Sequence, residues 1–127
     1  VCFNVGEEIY YNRNLVVIDK VERNVDYTGF TGPKDGYEFV MLTVTIENGN
    51  NKDISYSIDD FQIQDSKGNI YTETPTQINR YSCLIDGEIK PAYKAYGTIM
   101  YEVPKDEELK LIYNSGVLGK KINVKLI

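Results

Sequence analysis

At 127 residues the chain is the size of one domain and too short for two ordinary ones. Its net charge of -5, from 19 acidic and 14 basic side chains, excludes the cationic surface that a phosphate backbone requires, so no nucleic-acid partner is expected. Histidine is missing, which removes the commonest general base together with serine–histidine and cysteine–histidine nucleophile pairs.

Taken in chain order, the opening Val5-Gly6-Glu7-Glu8 carries no charged-then-apolar leader and reads as a trimmed mature domain. Leu15-Val16-Val17-Ile18, continuing to Val21 and Val25, predicts a long strand. Gly32-Pro33-Lys34-Asp35-Gly36 predicts a loop. A central strand follows, with Val40, Leu42, Val44 and Ile46 alternating with Met41, Thr43 and Thr45, and Asn48-Gly49-Asn50-Asn51 ends it. Ser57-Ile58-Asp59-Asp60 can begin a helical turn with Asp59 as its cap, but no helical apolar face sustains it.

Phe61 and Ile63 alternate with Gln62 and Gln64 up to a hairpin turn, Asp65-Ser66-Lys67-Gly68-Asn69. Gly97, Ile99, Tyr101 and Val103 alternate with Thr98, Met100 and Glu102 until Pro104, which has no N–H to give a ladder. A short 3₁₀ turn is expected near Asp106-Glu107-Glu108. Ile122, Val124 and Leu126 make the last strand. Lys120, Lys121 and Lys125 are the only dense basic spot, interleaved with apolar residues like a strand's exposed face. No apolar run approaches the roughly 18 residues of a membrane helix. Period two, cut by turn formers, predicts an all-β sandwich or barrel forming one domain over residues 1–127.

The two cysteines, Cys2 and Cys83, allow one pairing. A disulfide would close a loop of about 80 residues and add roughly 4 kcal/mol by chain entropy; the alternative is two free thiols. Val1 stands where a lipid-bearing cysteine is normally preceded by Gly, Ala or Ser, so Cys2 is not read as lipidated.

Several segments carry a family resemblance in their order along the chain. They are Val5-Gly6-Glu7, then Pro33-Lys34-Asp35-Gly36-Tyr37-Glu38-Phe39-Val40, then Thr43-Val44-Thr45-Ile46-Glu47-Asn48 with its Asn-Gly turn. Residues Asp60 through Tyr71 follow, then Ile89-Lys90-Pro91, Gly97 and Tyr101-Glu102-Val103-Pro104. The chain resembles the telokin-like, immunoglobulin-fold domain of Gram-positive surface lipoproteins, a domain-of-unknown-function family, and is similar to the mycobacterial immunoprotective extracellular antigen. It departs from the family at Ala92-Tyr93, where Gly-Glu is usual, and over 81–88, which reads as a loop of its own. The resemblance implies an immunoglobulin-like antiparallel β-sandwich of about seven to nine strands. It also implies export and attachment to the cell envelope through an N-terminal lipid anchor ahead of this sequence. It supplies no catalytic residues and calls for no cofactor.

What chemistry remains must come from carboxylates and tyrosines. A carboxylate-pair hydrolase would use Asp59-Asp60 or Asp106-Glu107-Glu108, residues that also suit ordinary turns. Calcium would draw on Asp59, Asp60 and Asp65, although Lys67 inside that turn favours a plain hairpin in which Asp65 bonds its own backbone. Zinc ligation lacks histidine and closely spaced cysteines. Among 11 tyrosines, Tyr27, Tyr37, Tyr81, Tyr93 and Tyr96, with Phe30, fall in the least regular segments and are the candidate binding residues. Tyr10, Tyr71, Tyr101 and Tyr113 lie in strand patterns and are expected to pack. The expectation is an exported, envelope-associated, non-enzymatic binding or scaffolding module for a protein or cell-envelope ligand. The alternatives are a carboxylate- or calcium-dependent hydrolase and an edge-strand interaction or inhibitor domain.

Overall fold

The computed structural model describes residues 2–114 and 121–126, so Val1 and Lys120 lie outside the described residues. The strands are β1 (Cys2–Asn4), β2 (Ile9–Tyr11), β3 (Asn14–Glu22), β4 (Tyr37–Glu47), β5 (Ile54–Tyr56), β6 (Phe61–Asp65), β7 (Ile70–Tyr71), β8 (Gly87–Ile89), β9 (Lys94–Pro104), β10 (Leu109–Tyr113) and β11 (Ile122–Lys125). They build a sandwich of a five-stranded sheet, β1-β11-β10-β6-β7, and a four-stranded sheet, β2-β3-β4-β9, with β5-β8 as a small third sheet. The count exceeds the expected seven to nine because β1, β2, β5, β7 and β8 have only two or three residues, too few to leave a period-two signature. Pairing is antiparallel except for β1 beside β11, which is parallel.

The inward rows are those that alternation predicts. Val40, Leu42, Val44 and Ile46 of β4 are buried in one cluster with Phe61, Ile63, Leu111, Tyr113 and Val124 of the other sheet. Tyr101 is also fully buried, and its hydroxyl donates to the Phe61 carbonyl at 2.7 Å, tying the sheets together. Burial pushes that phenol far above its ordinary pKa.

Alternation fails in β3, and the sequence shows why. Val16 and Ile18 point inward, the register against β4 shifts between Ile18 and Lys20, and the strand ends at Glu22. Val25, expected to extend it, lies beyond the end and donates its N–H to the Phe39 carbonyl. The turn before β6 forms as a 3₁₀ turn over Ile58–Asp60, but Ser57 and not Asp59 is its cap. The Ser57 side chain accepts from the Asp59 N–H while the Asp60 carboxylate accepts from the Ser57 N–H.

The segment between β7 and β9 is more than a private loop. It runs along the outer edge of β9, where the Thr98 N–H donates to the Ser82 carbonyl and the Leu84 N–H to the Thr98 carbonyl, both at 2.8 Å. Further along, the Thr74 N–H donates to the Met100 carbonyl and the Glu102 N–H to the Thr74 hydroxyl. Thr98 and Met100, on the outward side of the strand, are buried beneath it. The expected disulfide does not form. Cys2 sits on the edge strand of one sheet and Cys83 beside β9 of the other; both thiols are exposed, turned toward the carbonyls of Phe3 and Arg80 respectively.

Ala92, where the family usually has glycine, is left-handed at φ 69°. A β-carbon there costs about 1–2 kcal/mol, and glycine's greater freedom in the unfolded chain returns part of it. Ala92→Gly is therefore expected to stabilise the domain by about 0.5–1 kcal/mol, read as a higher urea midpoint at unchanged slope.

Candidate functional site

The six aromatic candidates separate into two groups at opposite ends of β4 and β9, which at 11 residues each run about 35 Å. Tyr27, Phe30 and Tyr37 gather at the end where β4 begins. The Tyr27 ring meets Phe39 edge-on at 6.3 Å, and the Lys34 ammonium lies 4.1 Å over the Tyr37 ring, so part of this group serves packing. Tyr81, Tyr93 and Tyr96 belong to the other end and to the segment along β9, and are 91%, 66% and 70% exposed. The Arg80 guanidinium sits 4.6 Å from the Tyr81 ring.

Strand register adds a residue that the sequence reading assigned to packing. Tyr10 is 72% exposed, because Ile9 and Tyr11 on either side of it point into the core. Strict alternation would have found it. Tyr10 pairs with Leu15, Leu15 with Glu47, and Glu47 with Lys94; one step along, Val17, Thr45 and Tyr96 form the next row on the same face. The outer face of the four-stranded sheet therefore presents two exposed tyrosines with half-buried Leu15 and Val17 between them. Away from Glu102, several of its charges are matched internally. Lys94 pairs with Glu47 at 3.6 Å, Lys20 with Glu22 at 3.0 Å, and Asp19 accepts from the Thr45 hydroxyl at 2.6 Å.

One concavity lies at the far end of this sheet and another on the outer face of the five-stranded sheet. A cleft of about 370 Å³ lies between the 30–32 loop and residues 74–78, walled by Phe30, Phe39, Pro75 and Ile78 with Glu102 in its lining. An open groove of about 980 Å³ runs by Cys2, Gln64, Lys110 and Lys125 to the 106–108 turn. Its polar groups are largely committed to one another. Arg23 clamps the buried Glu38 at 2.9 Å and donates to the Glu107 carbonyl at 2.8 Å, while the Glu107 carboxylate takes the Ser66 hydroxyl at 3.0 Å and Lys67 at 3.8 Å.

The acidic candidates fall in two places, with Asp65, Asp106, Glu107 and Glu108 around the open groove and Asp59-Asp60 apart from them. Asp60 and Asp65 lie at opposite ends of β6, about 16 Å apart along an extended strand. Asp106-Glu107-Glu108 lies at the Asp65 end, since Leu109 pairs with Asp65. Burial pushes the Asp65 carboxyl up, but hydrogen bonds from Asn69, Tyr71 and Lys67 outweigh it and hold it below the usual carboxylate range. Its partner Tyr71 is pushed up to about 12, chiefly by burial and then by donating to that carboxylate. Asp65 is thus spent on its own hairpin. Asp60 is raised, first by burial and then by neighbouring Asp86 and Asp59, against the opposing Ser57 N–H. No group of three or more acids or cysteines among the described residues is placed to hold a metal.

Three solved structures show the same fold. The yjhA protein of Bacillus subtilis superposes with a TM-score of 0.79 at 19% identity, over 98% of this chain and 99% of that one. A candidate lipoprotein of the same species, ycdA, gives 0.74 at 15% identity over 93% of this chain and 38% of that one. The secreted protein MPT63 of Mycobacterium tuberculosis gives 0.67 at 11% identity, over 98% and 96%. No curated protein matches the chain. The family model that does match, over residues 3–124, spans nearly the whole sandwich: the chain belongs to DUF4352, a domain of unknown function.

Proposed function

We propose that the domain is an exported, non-enzymatic binding module that meets its partner at the cell envelope through the outer face of its four-stranded sheet. The observation that carries the reading is the exposure of both Tyr10 and Tyr96 on the outer face of one sheet, with Tyr81 and Tyr93 exposed as well. Tyrosine gives large, rigid, amphipathic contact area at low entropic cost. Export is supported by a structural neighbour described as secreted and another as a candidate lipoprotein.

The strand-addition alternative needs a long open edge. Edge strands β1, β2 and β7 have three, three and two residues, and β9 is held along 98–102 by the segment that crosses it. The hydrolase alternative needs two free carboxylates converging in a cleft. Asp59-Asp60 stand apart from the other candidates at one end of β6, while in the groove at the other end Asp65 is bound by its own hairpin and Glu107 by Ser66 and Lys67.

The test is retention of the labelled domain on isolated Gram-positive cell envelopes and on proteins of the culture medium. Tyr10→Ala with Tyr96→Ala is expected to weaken retention at least tenfold, at unchanged thermal midpoint, because aromatic anchors carry about 2 kcal/mol or more each. Retention equal to that of the parent would overturn this surface.

A further inference from the structure

We infer that the cleft beside Phe30 is a site for an organic ammonium group carried on an apolar stem. Phe30, Phe39, Pro75 and Ile78 supply apolar wall, and among the described residues Glu102 supplies the only charge in the lining. One oxygen of that carboxylate accepts the Lys34 N–H at 3.0 Å, which fixes its position. Among the described residues no Lys or Arg forms an ion pair with it. The ammonium of Lys34 is seated on the Tyr37 ring instead. A half-buried carboxylate against aromatic walls, without a counter-ion, favours a cation with a hydrocarbon body, since charge and ring faces attract it together.

The other polar groups argue against the competing ligand classes. The Thr74 hydroxyl accepts the Glu102 N–H and the Thr76 hydroxyl donates to Asn79, and the remaining polar side chains of the lining, Thr31 and Gln77, are uncharged. Among the described residues no Lys or Arg lines the cleft, which leaves an anion without attraction there. The volume, near the lower end of the range for small-molecule sites, suits an alkyl ammonium or one lysine side chain. These two sources share one chemistry and are separated by the probes.

The isotopically labelled whole domain is titrated with n-hexylammonium chloride, with Nα-acetyl-lysine methylamide and with uncharged 1-hexanol, following backbone amide shifts. Shifts confined to residues 30–32, 74–78 and 102 are expected for an ammonium probe, with affinity at least tenfold above that for hexanol. The tighter of the two ammonium probes identifies the source, a free amine or a protein-borne lysine. Glu102→Gln keeps an oxygen for the Lys34 N–H and is expected to lose at least tenfold, while Phe30→Ala, at a half-exposed side chain, loses severalfold. No shift at the cleft with either ammonium, equal affinity for hexanol, or an unaffected Glu102→Gln would each overturn the assignment. Tyr10 lies on the far edge strand of the sheet, so the envelope-retention test stands or falls separately.

Discussion

Asn48→Asp is expected to destabilise the domain by about 3–5 kcal/mol. Asn48 is fully buried at the end of β4, and each of its polar groups has a partner. Its N–H donates to the Tyr93 carbonyl at 3.0 Å and its carbonyl accepts the Ala92 N–H at 2.9 Å. In the side chain the amide nitrogen donates to the carbonyls of Lys52 and Ile89, both at 2.8 Å, and the oxygen accepts the Asn50 N–H at 2.8 Å. One residue therefore joins the end of β4, the turn after it and β8 through its side chain, and the turn into β9 through its backbone. Aspartate has the same shape, yet it places a carboxylate oxygen against two carbonyls that need donors. Asn48→Leu keeps the apolar bulk and loses all three side-chain bonds, for an expected cost of about 3 kcal/mol. Against a typical domain stability of 5–15 kcal/mol, either change is severe. Urea unfolding checks it: a loss below 1 kcal/mol for Asn48→Asp would mean the buried amide is not the junction of these elements.

Asn48 also marks what the sequence could not convey. It falls in an Asn-Gly-Asn-Asn turn, where asparagine is expected at the surface, and no local pattern distinguishes a buried hub from a solvated turn. The long strands were legible because Val40 to Ile46 and Gly97 to Val103 each bury one complete row, so period two shows directly in the residue types. The burial of the outward row of β9 has a tertiary cause that alternation does not carry: Thr98 and Met100 are covered by a segment some twenty residues earlier. Tyr10 was available from alternation, but a tyrosine within a strand was assigned to packing. The cysteine pairing failed because counting thiols carries no geometry: Cys2 and Cys83 belong to the edges of different sheets. Phe30 was selected from its loop, whereas its partners in the cleft come from elsewhere in the chain, Glu102 through the pairing of β9 with Phe39 and Pro75 through the covering segment.

That segment is the subject of the second large prediction, Gly97→Ala. A β-carbon at Gly97 would lie 2.9 Å from both the Leu84 nitrogen and the Ser82 oxygen and 3.0 Å from the Leu84 α-carbon. All three are backbone atoms, so the clash cannot be relieved by turning a side chain. Relief requires residues 82–84 to withdraw from β9, which breaks the two 2.8 Å hydrogen bonds to Thr98 and lifts the buried Leu84 out of the core. Leu84→Ala alone is expected to cost about 2–4 kcal/mol, and Gly97→Ala a similar amount through the same displacement. Because both act on one contact, the double variant should fall short of their sum by about 1 kcal/mol or more. Full additivity in urea melts would show that the segment does not hold β9 through this approach. A second readout separates local release from general loss of stability. With the segment displaced, the outward groups of Thr98 and Met100 become an open strand edge, the feature that invites pairing between chains. Gly97→Ala is thus expected to exchange the Thr98 and Leu84 amide protons faster than the core of β4 and to self-associate at high concentration, whereas the comparably destabilised Asn48→Leu variant leaves that edge covered and stays monomeric. The glycine is then required less by β9 itself than by what must lie against it.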